Sequence, residues 1–284
     1  MRIARRFVAG EKIEDAIVAV RRLNDRGMSA TIDFLGEDVR NRADAVATRD
    51  EYLRLLDALA DAGARSNVSV KLTALGLLVD RVLCVENLAT IVARAGDSRS
   101  RPLVDNFVRI DMEGSALTEA TLQVFEEVFA RHQNVGPVLQ AYLRRTPEDV
   151  ERTIALGARV RLCKGAYKEP PEIAFTEMPM IRRAFMRLAE ALLERGNYPG
   201  IATHDEGIHK GVKAFAREHG IGSDRFEFQL LFGVRPDLQE RLAGEGYKVR
   251  VYVPYGTHWA QYFYRRIRER RENALLALRA LVGR

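Results

Sequence analysis

The chain has 284 residues, of which 47% are hydrophobic and 8% aromatic, so it can bury one large core, and both disordered chains and disulfide-stapled miniproteins are excluded. The net charge is +6, but acidic and basic side chains alternate along the sequence, so a nucleic-acid partner is not expected. Cys84 and Cys163 lie in apolar stretches, which argues against a metal cluster and a disulfide framework and favours a reducing compartment.

Short apolar or β-branched segments alternate with longer amphipathic ones, a pattern typical of βα units on a parallel sheet. A helix over 11–26 is predicted to precede strands at 30–36, 67–75, 107–113, 136–143, 158–166, 200–205, 226–233 and 248–256. Helices are predicted between them at 43–62, 85–95, 116–132, 147–156, 176–195, 206–218 and 235–243, with a last helix at about 258–281. Eight such units close most simply into a (β/α)8 TIM-type barrel, so residues 1–284 are predicted to form one domain of the α/β class.

Polar side chains recur at every second position on one face of most predicted strands, although barrel interiors are normally filled by branched apolar residues. This face carries Asp33, Ser69, Lys71, Arg109, Asp111, Gln140, Arg161, Gln229 and Tyr252. Those predicted in the C-terminal halves of their strands are Lys71, Asp111, Gln140 and Arg161. Barrel enzymes build their sites at that end, so a binding cavity is expected there. An alternative remains open for a second group, which could pair as a buried structural network: Arg109, Arg159, Glu227 and Arg250.

Two strand ends carry residues suited to a flat, phosphorylated ligand. After the fifth strand, Gly165 and Ala166 follow two cations and allow the backbone to approach a ligand closely. After the sixth strand, Thr203 and His204 stand at the opening of a helix, where dipole and free amides favour a phosphate. The neighbouring Asp205 is explained equally well as a helix N-cap.

The predicted last helix carries an unusual polar stripe. Its members follow the i, i+3, i+4, i+7 spacing and share one helix face: Tyr262, Arg265, Arg266 and Glu269. Two guanidinium groups on one face suit a small carboxylate, with Glu269 orienting an arginine. The alternative is a solvated Arg-rich helix, which accounts easily for Arg268, Arg270 and Arg271.

Six segments taken together resemble the proline dehydrogenase family in its monofunctional bacterial form. They are VSVKLTALGL, RIDMEGS, VRLCKGAYKEP, ATHD, EFQLLFGVR, and RVYVPYG with YFYRRIRERREN. The resemblance implies an FAD-containing barrel whose C-terminal helix covers the active site. It also implies oxidation of L-proline to Δ1-pyrroline-5-carboxylate, with hydride transfer from C5 to flavin N5 and electrons passed to a membrane quinone, as the first step of proline catabolism to glutamate.

The same resemblance assigns roles to individual residues. Substrate-binding residues are expected to be Lys71, Tyr167, Leu231, Tyr252, Tyr262, Arg265 and Arg266. Catalytic roles are expected for Lys71, Asp111 and Tyr252. FAD-binding residues are expected to be Gln140, Arg161, Lys164, Gly165, Ala166, Thr203, His204 and Glu269. Glu37 resembles a carboxylate that pairs with the first arginine and gates the site. No metal ligand is expected, and the base that deprotonates proline stays open between Asp111, Lys71 and water.

The expected location of the protein relative to the membrane follows from the implied quinone acceptor and from the hydropathy of the sequence. No apolar run approaches the roughly 20 residues of a membrane span, and MRIARRFVAGEK lacks the apolar middle of a signal peptide. We therefore expect a cytoplasmic protein, peripheral to the inner face of the cell membrane. Two other functions remain open: a Schiff-base aldolase using Lys164 or Lys71, and an anionic-membrane or nucleic-acid binder using the Arg-rich last helix.

Overall fold

In a computed structural model, which describes residues 6–36, 39–97, 99 and 102–259, eight parallel strands form a closed barrel. Each strand pairs with its sequence neighbours, and the first strand pairs with the last. The strands are β1 (Ser29–Phe34), β2 (Ser66–Val70), β3 (Val108–Ile110), β4 (Val135–Gln140), β5 (Arg161–Cys163), β6 (Gly200–Ala202), β7 (Glu227–Leu231) and β8 (Lys248–Tyr255). The predicted (β/α)8 barrel is confirmed.

Eight α-helices surround the barrel in the described part of the chain. They are α1 (Ile13–Asn24), α2 (Arg42–Ala62), α3 (Arg81–Gly96), α4 (Thr118–Phe129), α5 (Thr146–Ala155), α6 (Met178–Arg195), α7 (Glu206–Glu218) and α8 (Pro236–Gly244). Side-chain caps fix several of the starts, because Asn41 accepts the Asp44 amide at 2.9 Å and Asp80 accepts the Val82 amide at 2.9 Å. Most of the predicted last helix lies outside the described residues.

α1 occupies the position outside β8 and β1 that the helix after the eighth strand occupies in a simple (β/α)8 barrel. α1 packs against both β1 and β8, on the outside of the pair that closes the barrel. The segment before it is joined to the end of β8, because the Ala9 amide donates to the Pro254 carbonyl and the Gly256 amide to the Gly10 carbonyl, each at 2.9 Å. The two ends of the described chain therefore meet along one seam.

Along the strands, apolar and polar side chains alternate between the two faces. On β1 and β2 the apolar residues Ile32 and Val68 pack in the main core cluster, while Asp33 and Ser69 belong to a polar network inside the barrel. Several strands end earlier than predicted. β2 stops before Lys71, because the Leu75 amide donates to the Lys71 carbonyl at 3.2 Å and turns the chain.

Candidate active site

Four side chains, two in strands and two directly after strands, meet at the C-terminal end of the barrel. Lys71 Nζ lies 2.9 and 2.8 Å from the two carboxylate oxygens of Asp33 and 3.3 Å from Asp111 Oδ2. The Tyr252 hydroxyl donates to the same Asp111 oxygen at 2.6 Å. Lys71, Asp111 and Tyr252 were predicted to share a site, and the structure brings them together. Asp33, which the site prediction did not include, completes the group.

The electrostatics of this cluster are set by burial and by Lys71. Burial raises the pKa of Asp33 to about 6, against the effect of Lys71. Burial also acts to raise the pKa of Asp111, but Lys71, Arg161 and hydrogen bonds from Ser69 and Tyr252 together hold it below its usual value. Asp111 is therefore a carboxylate at neutral pH.

Arg161 is the second cation of the cluster. It was expected in the C-terminal half of its strand, but that expectation is wrong, because Arg161 is the first residue of β5. Its guanidinium donates to Asp111 Oδ1 at 3.0 Å and to the Ser69 hydroxyl at 3.3 Å, and it also donates to Gln229. Its carbon Cζ lies 5.3 Å from the centre of the Tyr252 ring. Arg161 is thus held by protein acceptors inside the barrel.

Gln140, the last residue of β4, connects two loops at the same end of the barrel. Its amide nitrogen donates to the Glu113 carbonyl at 3.0 Å, and its amide oxygen accepts the Ala166 amide at 3.1 Å. The buried Glu113 carboxylate in turn accepts the Thr73 hydroxyl at 2.6 Å. The sequence prediction did not include Glu113, although it lies two positions after Asp111, the spacing that places side chains on one face of a strand.

Gly165 also has a conformational requirement that the sequence did not reveal. Its φ of +122° is a conformation that L-residues with side chains rarely adopt, and an added Cβ would lie 2.2 Å from the Tyr142 ring. The Cβ direction of Gly165 is therefore filled by Tyr142, and the predicted approach of a ligand to its backbone stays a prediction.

Lys164 and Arg182 both contact Asp205 at the start of α7. Lys164 Nζ lies 2.7 Å and Arg182 Nε 2.6 Å from Asp205 Oδ2, while Oδ1 accepts the Gly207 amide at 3.0 Å. The N-cap interpretation of Asp205 is confirmed. Burial acts to raise its pKa, but the two cations lower it to about 2. Carboxylates hold the Nζ atoms of both Lys71 and Lys164 in ion pairs, which counts against the Schiff-base alternative, because that chemistry needs an amine free to attack a carbonyl.

Thr203 and His204 follow β6 and contact neighbouring backbone. The Thr203 hydroxyl accepts the Asp205 amide at 3.1 Å, and His204 Nε2 lies 3.2 Å from the Leu231 amide nitrogen. Because His204 Nε2 accepts the Leu231 amide proton, the ring proton of neutral His204 lies on Nδ1. Burial lowers the pKa of His204 to about 3, so the ring is neutral at physiological pH.

Two further predicted site residues lie at this end of the barrel. Tyr167 follows β5, Leu231 ends β7, and both are half-buried. The remaining ones, Glu37, Tyr262, Arg265, Arg266 and Glu269, lie outside the described residues.

At the N-terminal end of the barrel, the alternative of a buried structural network is confirmed for one pair, Arg250 and Glu227. Arg250 Nε donates to Glu227 at 2.6 Å, and its Nη1 lies 2.8 Å from Asp105. Burial acts to raise the pKa of Glu227, but Arg250 lowers it overall. Gln229 donates to Glu227 and accepts from Arg161, so one hydrogen-bonded chain of polar side chains runs from Asp105 to the Asp111 cluster.

His209 gives a pH-dependent stability prediction. It is 2% exposed, its Nε2 lies 2.9 Å from the Thr203 carbonyl, and burial lowers its pKa to about 4. An unfolded imidazole titrates near 6.5, so below that pH the unfolded chain binds a proton that the folded chain does not. The stabilising effect of His209 is therefore lost as pH falls from about 6.5 towards 4. By denaturant titration, the destabilisation caused by His209→Gln should shrink by ~2 kcal/mol between pH 7 and 5; a constant difference would contradict the assignment.

The chain is similar to known proteins in both sequence and fold. The family model described as proline dehydrogenase matches residues 16–276. The chain is 41% identical over 279 residues to proline dehydrogenase 1 of Bacillus subtilis subsp. natto, covering 98% of this chain and 90% of that protein. It is 39% identical over 285 residues to proline dehydrogenase of Deinococcus radiodurans, covering 99% and 90%. Proline utilization A of Bdellovibrio bacteriovorus superposes with a TM-score of 0.88 at 25% identity, over all of this chain and 34% of that one. The chain thus spans about a third of that larger protein.

Proposed function

The chain belongs to the proline dehydrogenase family, and we propose that it oxidises L-proline to Δ1-pyrroline-5-carboxylate with FAD as cofactor and a membrane quinone as electron acceptor. The reaction would be the first step of proline catabolism to glutamate. The observation that carries this proposal is the cluster of Lys71, Asp111 and Tyr252 at the C-terminal end of a barrel of this family.

The residues at the ends of β5 and β6 fit a flavin dinucleotide. Lys164 and Arg182 flank Asp205 at the N-terminus of α7 and leave one net positive charge there, which, with the helix N-terminus, suits a pyrophosphate. His204 is neutral with its proton on Nδ1, so it is a hydrogen-bond donor without a charge. Residues proposed to hold FAD are Gln140, Arg161, Lys164, Gly165, Ala166, Thr203, His204 and, outside the described residues, Glu269.

When bound, FAD supplies the hydride acceptor, its N5 atom, for the hydrogen that leaves C5 of proline. We propose that Lys71, with Arg265 and Arg266, binds the proline carboxylate and fixes the direction in which the ring points. Tyr167, Leu231, Tyr252 and Tyr262 would enclose the ring, and Glu37 would gate it by pairing with Arg265. Holding the reacting atoms in one geometry supplies much of the rate in such reactions. The buried charge of Arg161 would stabilise the negative character that the reduced cofactor gains.

The proton on the proline nitrogen must leave before the hydride does. Both described carboxylates nearest Lys71, Asp33 and Asp111, already accept hydrogen bonds from it, and Asp111 also accepts from Tyr252. This arrangement favours binding of the neutral amine from solution without a dedicated base. The site then needs only to keep the carboxylate anchored and the ring oriented.

Electron delivery to a quinone requires contact with a membrane surface, and we propose a peripheral contact on the cytoplasmic side. Among the described helices, none has both the length and the apolar character needed to cross a bilayer. The loop after β2 and the start of α3 expose Leu78 at 53% and Val82 at 62%, on the same end of the barrel as the Lys71 cluster. Exposed apolar side chains at the site opening suit a lipid-soluble acceptor.

The direct test is an anaerobic titration of FAD-loaded protein with proline, followed at the flavin absorbance band. The protein should be yellow, and proline should bleach the band stoichiometrically, whereas glycine at the same concentration should not. A parallel titration with hydroxyproline defines substrate preference. FAD-loaded protein that keeps its absorbance in the presence of excess proline would rule the proposal out.

A further inference from the structure

A polar cavity lies at the N-terminal end of the barrel, opposite the Lys71 cluster. It has a volume of 220 Å³ and is lined by residues at or near the starts of strands, chiefly Ser29, Arg65, Asp105, Arg159, Tyr198 and Arg250. We call it the basal cleft. A water molecule takes about 30 Å³ of liquid, so the cleft has room for roughly seven waters or a small polar ligand.

Arg159 gives the cleft an uncommitted guanidinium group. Its Cζ lies 5.3 Å from the centre of the Phe107 ring and 5.4 Å from the centre of the Tyr198 ring. Within the part of the chain that the structure describes, its side chain makes neither a hydrogen bond nor an ion pair. The two rings therefore hold the guanidinium plane while its five N–H donors stay available to a ligand.

Arg109 adds a buried positive charge beside it. This side chain is 4% exposed, and its Nη1 donates to the Pro137 carbonyl at 3.1 Å and to the Arg159 carbonyl at 2.6 Å. Its Nε is buried without an acceptor, and no described carboxylate lies within ion-pair distance of it. Its other neighbour is the Phe107 ring, whose centre lies 4.7 Å from Arg109 Cζ. A buried charge held by two neutral carbonyls and an aromatic ring is costly, and a nearby anion would lower that cost.

The charges around the basal cleft do not cancel. Arg250 is bonded to Asp105 and Glu227, and this trio carries one net negative charge. Arg65, Arg109 and Arg159 carry three positive charges, which leaves two uncompensated. Asp105 Oδ2 lies 2.8 Å from Arg250 Nη1, and this ion pair largely neutralises the repulsion that Asp105 would exert on an incoming anion.

We propose that the basal cleft binds a dianionic phosphate group, either free or carried by a small molecule. Guanidinium forks match phosphate oxygens in geometry, and two net positive charges match a phosphate dianion. Arg159 and Arg65 would bind the phosphate oxygens directly, and the Ser29 hydroxyl lies in the same lining. Tyr198 at the cleft has a φ of +46°, a strained conformation for a residue with a side chain, and such strain concentrates at ligand sites.

The test is isothermal titration of the FAD-loaded protein with inorganic phosphate at constant ionic strength, because bound FAD fills its own phosphate site. We expect one saturable site whose affinity falls at least tenfold in Arg159→Gln and also falls in Arg65→Gln. Arg131→Gln is the matched control, because that side chain is 65% exposed and does not line the cleft, and it should leave phosphate affinity unchanged. Lys71→Met should also keep phosphate binding, which separates the basal cleft from the proline site.

A second titration with glycerol phosphate distinguishes the two sources of the phosphate group. Tighter binding than inorganic phosphate would indicate a phosphate monoester as the ligand, and weaker binding would indicate free phosphate. Absence of saturable phosphate binding, or equal affinity in wild type and both cleft variants, would overturn the proposal. Neither result affects the proline assignment, since the two sites use different residues.

Discussion

Replacing Lys71 by methionine should lower kcat/KM for proline by about ten- to a hundredfold, with FAD still bound. Lys71 is the described cation at the proposed carboxylate position, and its side chain is 7% exposed. A hydrogen bond to a charged group contributes about 1.5–3 kcal/mol, which corresponds to roughly 10- to 150-fold in an equilibrium constant. Steady-state kinetics with an artificial electron acceptor measure this change, and the flavin absorbance reports cofactor content.

A second variant separates lost binding from misfolding. Lys71→Met leaves Asp33 buried without its cation, so the double variant Lys71→Met with Asp33→Asn restores the charge balance of the pair. The double variant should regain thermal stability but not proline turnover. Lys213→Met, on α7 and away from the site, is the control for loss of a lysine. Proline kinetics of Lys71→Met equal to those of Lys213→Met would refute the carboxylate-binding role.

The largest stability effect is expected from Glu227→Gln, which should cost about 3–5 kcal/mol in the free energy of unfolding. Glu227 is 4% exposed and is the buried partner of Arg250. Removing its charge would leave Arg250 with only Asp105 and would add to the unbalanced charge of Arg109. Urea denaturation at pH 7 gives the free energy, and the slope of the transition shows whether the unfolded state has changed.

The ion pair can be tested with a double-mutant cycle. Combining Glu227→Gln with Arg250→Met removes both charges, so the double variant should be more stable than Glu227→Gln alone. Glu240→Gln is the surface control, because Glu240 and its partner Arg26 are 58% and 59% exposed, and it should leave the transition nearly unchanged. If the double variant loses as much as the two single variants summed, the pair is not coupled as the structure indicates.

The barrel could be predicted because each of its βα units produces a recognisable pattern within its own stretch of sequence. The alternation of short apolar strands with amphipathic helices reports each βα unit separately, and α7 was predicted at both of its ends. Strand ends were less predictable. The apolar pattern of β2 continues past Val70, but the chain turns there through hydrogen bonds between Lys71 and Leu75, which no periodicity reveals.

Site residues could be predicted where the alternation along a single strand determined their position, but not where contacts between several strands did. The period-two rule correctly placed Asp111, Arg161 and Tyr252 inside the barrel, but it did not give the level of Arg161 along β5. Gly165 was predicted only from a possible ligand approach, but its lack of a side chain is also required by the ring of Tyr142, which lies more than 20 positions earlier in the sequence. The free guanidinium of Arg159 depends on rings from two other strand starts, and such contacts exist only in the folded chain.

The seam between α1 and the β1–β8 pair has a consequence for synthesis on the ribosome. α1 is made first, but β8, against which it packs, emerges roughly 220 residues later. At about 5–20 residues per second, that interval is roughly 10–45 s, during which the nascent barrel stays open and the part of α1 that packs against β8 is unprotected. The slowest and most aggregation-prone step of folding during synthesis should therefore come when β8 emerges and packs against α1, which was made long before it.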